Sequence, residues 1–148
     1  MTDVSHIFKA YDIRGKVGVE LNPQLALNVG RAFADWLPTE GAVAVGYDMR
    51  PDSLELAQSA IKGLVQQGRD VIDIGQVASD MIYFAVGSLK LAGGLMVTAS
   101  HNPGEYNGIK LCREGAGGVG LDNGLSDIRD HALDEDFKQA SSGTLSQQ

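Results

Sequence analysis

One cysteine, Cys112, occurs in 148 residues, which rules out an internal disulfide and fits a reducing compartment. No apolar run approaches the roughly 20 residues that cross a bilayer, so no membrane span is expected. The first residues lack a basic segment followed by a long apolar one, so no secretory leader is expected and the chain reads as cytoplasmic. Basic residues are outnumbered 12 to 19, for a net charge of −7. Nucleic-acid binders usually carry a basic stripe, so no nucleic-acid partner is expected. Bulk acidity leaves an anionic substrate open, because a few converging cations focus the local field. No G-x-S-x-G elbow is present, so an esterase-type serine is unsupported.

What is there is the pattern of a single α/β domain, with length enough for a sizeable core. Asn22-Pro23 is a helix start, with a capping side chain and proline at the first helical position. Leu25, Val29, Phe33, Trp36 and Leu37 follow at helical spacing, and Pro38 stops the helix. Trp36 reads as core or rim packing. A fully apolar strand, residues 42–45, leads to a turn and to Asp52-x-x-Glu55, a capping-box pattern for a second helix that Gly68 ends. Asp48 and Arg50 in that turn read equally as a binding loop or a local ion pair. Residues 71–75 make the next strand. Residues 79–90 carry apolar side chains on every face, which predicts a well-buried helix broken by Gly93-Gly94.

Strand and helix alternate at roughly 25-residue spacing, which argues for crossover units and a mainly parallel sheet. Residues 95–97 and 108–112 are too close for a crossover helix, so the second is expected to return antiparallel. The expected fold is a three-layer α/β domain. It has a mixed, mostly parallel sheet of about four main strands flanked by helices. A helix near 122–133 turns Leu125, Ile128 and Ala132 inward. Gly115–Gly120 match G-x-G-x-x-G formally but come at the end of the domain with no strand after them, so a flexible connection is the better account. The domain is read as residues 1–135, and 136–148 as a polar linker or tail.

The chemistry concentrates in Thr98-Ala99-Ser100-His101-Asn102-Pro103, which follows the apolar 95–97 strand. Pro103 pushes Asn102 toward extended geometry and stiffens the loop. A free serine is a poor nucleophile, and side chains adjacent in extended backbone point opposite ways, so His101 is an awkward base for Ser100. Phosphoryl transfer needs other parts: an acceptor hydroxyl on a rigid loop, cations against spread negative charge, and a proton shuttle. Ser100 can be acceptor and donor. Arg14, whose planar fork suits phosphate oxygens, and Lys110 can supply charge or proton transfer. His101 and Asn102 can orient substrate or phosphate. Arg14 lies among three cations (Lys9, Arg14, Lys16) within eight residues, in a segment read as a short strand or arm ending in a loop at Asp12–Gly15. No acidic cluster suited to Mg²⁺ accompanies these motifs.

Four motifs in this order, Tyr11-Asp12-Ile13-Arg14-Gly15, Gly46-Tyr47-Asp48-Met49-Arg50, the Thr98–Pro103 hexapeptide and Asn107-Gly108-Ile109-Lys110, resemble those of the α-D-phosphohexomutases, over the chain up to about residue 135. That family has four domains, and this chain is similar to the first. The resemblance implies that Ser100 is a phosphoserine that gives its phosphoryl group to a hexose phosphate and recaptures one from the bisphosphorylated sugar. It implies Lys110 as general acid/base, Arg14 as electrostatic partner, Tyr11 and Asn102 as substrate contacts and His101 as a shaper of the loop. It also implies Mg²⁺, with the Ser100 phosphate as one ligand and the rest from an acidic loop of a second domain. The expected partners are hexose phosphates and the remaining domains of such an enzyme. A non-catalytic module that binds a phosphosugar or a partner chain is the competing expectation.

Overall fold

Asn22 caps the first helix as its side chain predicts: Oδ1 accepts from the Leu25 N–H at 2.9 Å, and α1 runs Pro23–Trp36. Its stripe of Leu25, Val29 and Phe33 is buried, and Trp36 stacks on Phe33 at the rim with ring centroids 6.3 Å apart. The computed structural model describes residues 4–98, 104–138 and 142–147. The remaining elements are β1 (Ile13–Lys16), β2 (Val43–Tyr47), α2 (Ser53–Gln66), β3 (Val71–Gln76), α3 (Ser79–Ser88), β4 (Gly93–Val97), β5 (Tyr106–Arg113), β6 (Gly117–Gly118), α4 (Leu125–Asp134) and β7 (Leu145–Gln147).

The sheet order is β1-β5-β4-β2-β3-β7, with β6 on the far part of β5. β4, β2, β3 and β7 pair in parallel, whereas β5 runs antiparallel to β4, β1 and β6. The mixed sheet and the antiparallel return of β5 are as expected, and among the described residues three further strands join the four main ones, β2 to β5. The additional ones are short. β1 occupies the segment read as a loop, since Ile13 and Gly15 turn inward while Arg14 and Lys16 turn out, and four residues are too few for that alternation to stand out. β7 is exposed along its length and paired to β3 through its backbone, which leaves no hydrophobic pattern to read.

α1, α2 and α4 cover one face of the sheet. Gly30 of α1 lies against the Ala60 carbonyl, and Gly63 of α2 against that of Leu27, so a Cβ at either position would collide with the opposing helix. α4 packs on α1 through Leu125, Ile128 and Ala132, as the sequence predicts. The second helix departs from the capping-box reading. Asp52 makes no side-chain cap; Asp48 instead ties the turn before the helix by accepting from the Ser53 hydroxyl and from the Arg50 N–H at 3.0 Å.

α3 lies on the other face, over β2 and β4. It buries Ile82, Ala85 and Val86, but Met81, Phe84 and Leu89 are exposed, against the expectation of full burial. A helix laid on a sheet buries one face, and among the described residues no further layer covers the opposite one. Gly93 and Gly94 belong to β4 itself; the turn out of α3 is made by Lys90, at φ 53°. The polar tail is tied down at several points. Phe137 contacts the Arg31 guanidinium and the His131 ring, and Thr144 bonds Asp70, while just ahead of the tail Asn28 donates to Glu135 at 2.8 Å.

Candidate active site on the β1–β5 strip

The pairing of β1 with β5 sets the site. Ile13 opposes Ile109 and both are buried on the α1 side, so the next residues, Arg14 opposite Gly108, and Lys110 two along from Gly108, turn to the other face. There α3 covers β2 and β4, and a cavity of about 620 Å³ lies beside it. Its walls include Tyr11, Asp12, Arg14, Tyr83 and Lys110. Tyr11, 85% exposed, stands with Asp12 and Arg14 between this cavity and a second of about 740 Å³, into which His6 and Lys9 also face. Three residues singled out from sequence, Arg14, Lys110 and Tyr11, are thus brought to one place.

Arg14 is aimed by Asp12. Its Nη2 donates to Oδ1 at 3.2 Å and Oδ2 at 3.0 Å of that buried carboxylate. Arg14 Nε is buried without a hydrogen-bond partner among the described residues. A buried unmade bond of this kind costs roughly 1–3 kcal/mol. Gly108 makes the arrangement possible. A Cβ there would collide with the Ile13 carbonyl, lie 2.9 Å from the Thr98 oxygen, and meet the Arg14 stem at 3.5 Å.

Ser100, His101 and Asn102 lie outside the described residues. The residues that flank them are firmly held. Thr98 donates its N–H to Gly108 at 2.9 Å, and Asp48 donates its N–H to Val97 at 3.0 Å. Buried Asn107 donates to the Ser53 hydroxyl at 2.9 Å and accepts from the Gly108 N–H at 2.8 Å. Arg50 Nη1 donates to the Tyr106 carbonyl at 3.1 Å, with Nε 3.6 Å from Asp48. Asp48 and Arg50 therefore form a local ion pair that also fastens the β2–α2 turn to the start of β5.

Asp12 as the orienter of Arg14, and Ser53 and Asn107 as braces, carry no role in the sequence reading. Asp12 was findable, since it stands two residues from Arg14. Ser53 and Asn107 meet across 54 positions and left no signal. Nor did Tyr83, whose phenol is pushed above its ordinary value by burial and then by the charges of Cys112, Asp12 and Asp80. The 115–120 glycines form the β6 pairing with β5 and a turn at the cavity rim, not a strand-to-helix cradle.

For Mg²⁺, the described residues offer no group of three or more His, Cys, Asp or Glu side chains. Asp12 and Asp48 are taken up by Arg14 and by Ser53 with Arg50. These residues do not fit the several-oxygen shell that Mg²⁺ demands.

Residues 5–139 match the model of the family described as phosphoglucomutase/phosphomannomutase, alpha/beta/alpha domain I. The chain belongs to this family. It is 48% identical over 130 residues to a phosphomannomutase of Escherichia coli (strain K12), covering 88% of this chain and 28% of that protein. It is 46% identical over 143 residues to a phosphomannomutase of Klebsiella pneumoniae, covering 95% of this chain and 90% of that one. A solved phosphoglucomutase/phosphomannomutase family protein from Burkholderia thailandensis superposes with a TM-score of 0.87 at 34% identity, over 99% of this chain and 33% of the other. The chain thus spans 28% of the E. coli protein and 33% of the B. thailandensis one.

Proposed function

We propose that this chain is the phosphoserine-bearing first domain of a cytoplasmic phosphohexomutase that interconverts the 1- and 6-phosphates of glucose, mannose or both. The observation that carries the reading is Arg14, oriented by Asp12 and lining the same cavity as Lys110. A phosphoserine brings a charge of about −1.5 to −2 with three acceptor oxygens, the kind of group a guanidinium and an ammonium lining one cavity would offset. In the reaction proposed, a hydroxyl of the bound hexose phosphate attacks the phosphorus of phosphorylated Ser100. The bond from phosphorus to Ser100 Oγ breaks, and Oγ takes up a proton. Lys110 removes the proton from the attacking hydroxyl. The bisphosphorylated sugar turns over, and the reverse transfer from its other phosphate restores phosphoserine. Arg14 offsets the charge that spreads over the transferring oxygens, Tyr11 and Asn102 contact the sugar, and His101 shapes the loop. Mg²⁺, held by the Ser100 phosphate and by ligands from outside this chain, would supply further charge neutralisation.

The test is Ser100→Ala in a full-length mutase carrying this domain. Turnover should fall by orders of magnitude while the unfolding temperature is unchanged; near-normal turnover would sink the assignment. A second reading, a short module that binds a phosphosugar or a partner chain without turnover, is prompted by length alone, since this chain covers 90% of the K. pneumoniae relative, which is itself named a phosphomannomutase.

A further inference from the structure

α3 presents more apolar surface than the sheet can use. Ile82, Ala85 and Val86 face the sheet, while Phe84 is 66% exposed and Met81 and Leu89 stand out beside it. Together with Ile74, Val77 and Ala85 they line a groove of about 260 Å³. Buried helices are apolar all round, whereas solvent-facing helices carry a polar stripe. Contiguous exposed apolar patches of this kind mark contact sites.

We infer that the Met81–Phe84–Leu89 face is the seat for the body of polypeptide that follows this domain in the longer family members. Two observations select that occupant. First, the chain spans 28% of the E. coli relative and 33% of the B. thailandensis protein, so in those proteins most of the mass lies beyond the matched domain. Second, the tail points the right way. β7 pairs in parallel with β3, Leu145 with Val71 and Gln147 with Asp73. Backbone continuing in that direction advances about 3.3 Å per residue along β3, toward Ile74 and Val77 at the groove.

The neighbouring residue gives the contact a consequence. Tyr83 lines the cavity that holds Arg14 and Lys110, and Phe84 lies next to it on the same helix. The helix that carries the interface thus also carries a wall of the site. The inference rests on the reading of this chain as one domain of a longer enzyme, and not on its phosphoryl-transfer chemistry.

Hydroxyl-radical footprinting of Met81 and Phe84 tests it. Their oxidation is compared between the 148-residue chain alone and a full-length chimera in which it replaces the matched domain of the E. coli phosphomannomutase. Several-fold slower oxidation in the chimera is expected. Equal rates overturn the inference, and so does protection already present in the isolated chain with sedimentation as a dimer, which would assign the face to a second copy. The same comparison on the full-length E. coli protein and its first domain, at the aligned positions, carries equal weight should the chimera misfold. Phe84→Glu should leave the unfolding temperature of the isolated chain unchanged and lower that of the chimera; equal shifts in both overturn the inference. Activity is not read, so this result stands apart from the Ser100→Ala outcome.

Discussion

Gly108 and Cys112 lie on the same face of β5, and each shows how tightly the sheet constrains one atom. At Gly108 a methyl group would meet two backbone carbonyls, which cannot retreat without loosening the β1–β5 pairing. Gly108→Ala is expected to cost roughly 1–3 kcal/mol, the range of overpacked cores, and to displace Arg14. A lowered urea midpoint with unchanged slope would show it. Cys112 is buried beneath α3, and burial pushes its thiol from 9.0 up to about 11. The unfolded chain therefore gives up this proton first. Stability that is intact below pH 9.0 should be lost between there and about pH 11, by roughly 3 kcal/mol. Denaturant titrations across that range should show the fall, and Cys112→Ala should flatten it.

Among the elements, those with strong local signals were legible and those made by pairing were not. α1 is written in Asn22-Pro23 and its apolar stripe, because a cap and a 3.6-residue period are local properties. β1 and β7 exist because a neighbouring strand offers backbone partners, which no local pattern announces. The tail strand yields a prediction of its own. Asp70 accepts the Thr144 N–H and hydroxyl at 2.9 and 3.0 Å, and these bonds hold its carboxyl below its ordinary value. A lowered carboxylate pKa stabilises the docked form above the free value of 3.8, and the effect is lost as pH falls through the docked value. Hydrogen-exchange protection of the β7 amides should be full at neutral pH and decline in acid. Asp70→Asn, which keeps an acceptor oxygen without the charge, should lower that protection and remove its pH dependence. A mutant indistinguishable from the parent would mean that β3 alone holds the strand.

Taken whole, the described part of the site is one wall: Arg14, Lys110 and Tyr11 on the β1–β5 strip, with Tyr83 from α3. A hexose phosphate held by so few groups gains little against the translational freedom it loses on binding. The isolated 148 residues should therefore bind glucose 1-phosphate weakly or not at all by calorimetry, whereas micromolar affinity would support the short-module reading. The sequence by itself determined the α/β alternation, the main helices and the antiparallel return of β5, and singled out Arg14, Lys110 and Tyr11 as candidates. These rest on residue type and short spacing, which the chain carries in one dimension. The tertiary structure decided that Arg14 and Lys110 share a sheet face, that Asp12 claims the guanidinium, that Ser53 braces Asn107 and that α3 keeps Phe84 in the open. Each of these depends on which strands become neighbours, and strand order is set by how the whole core packs rather than by any local run of residues.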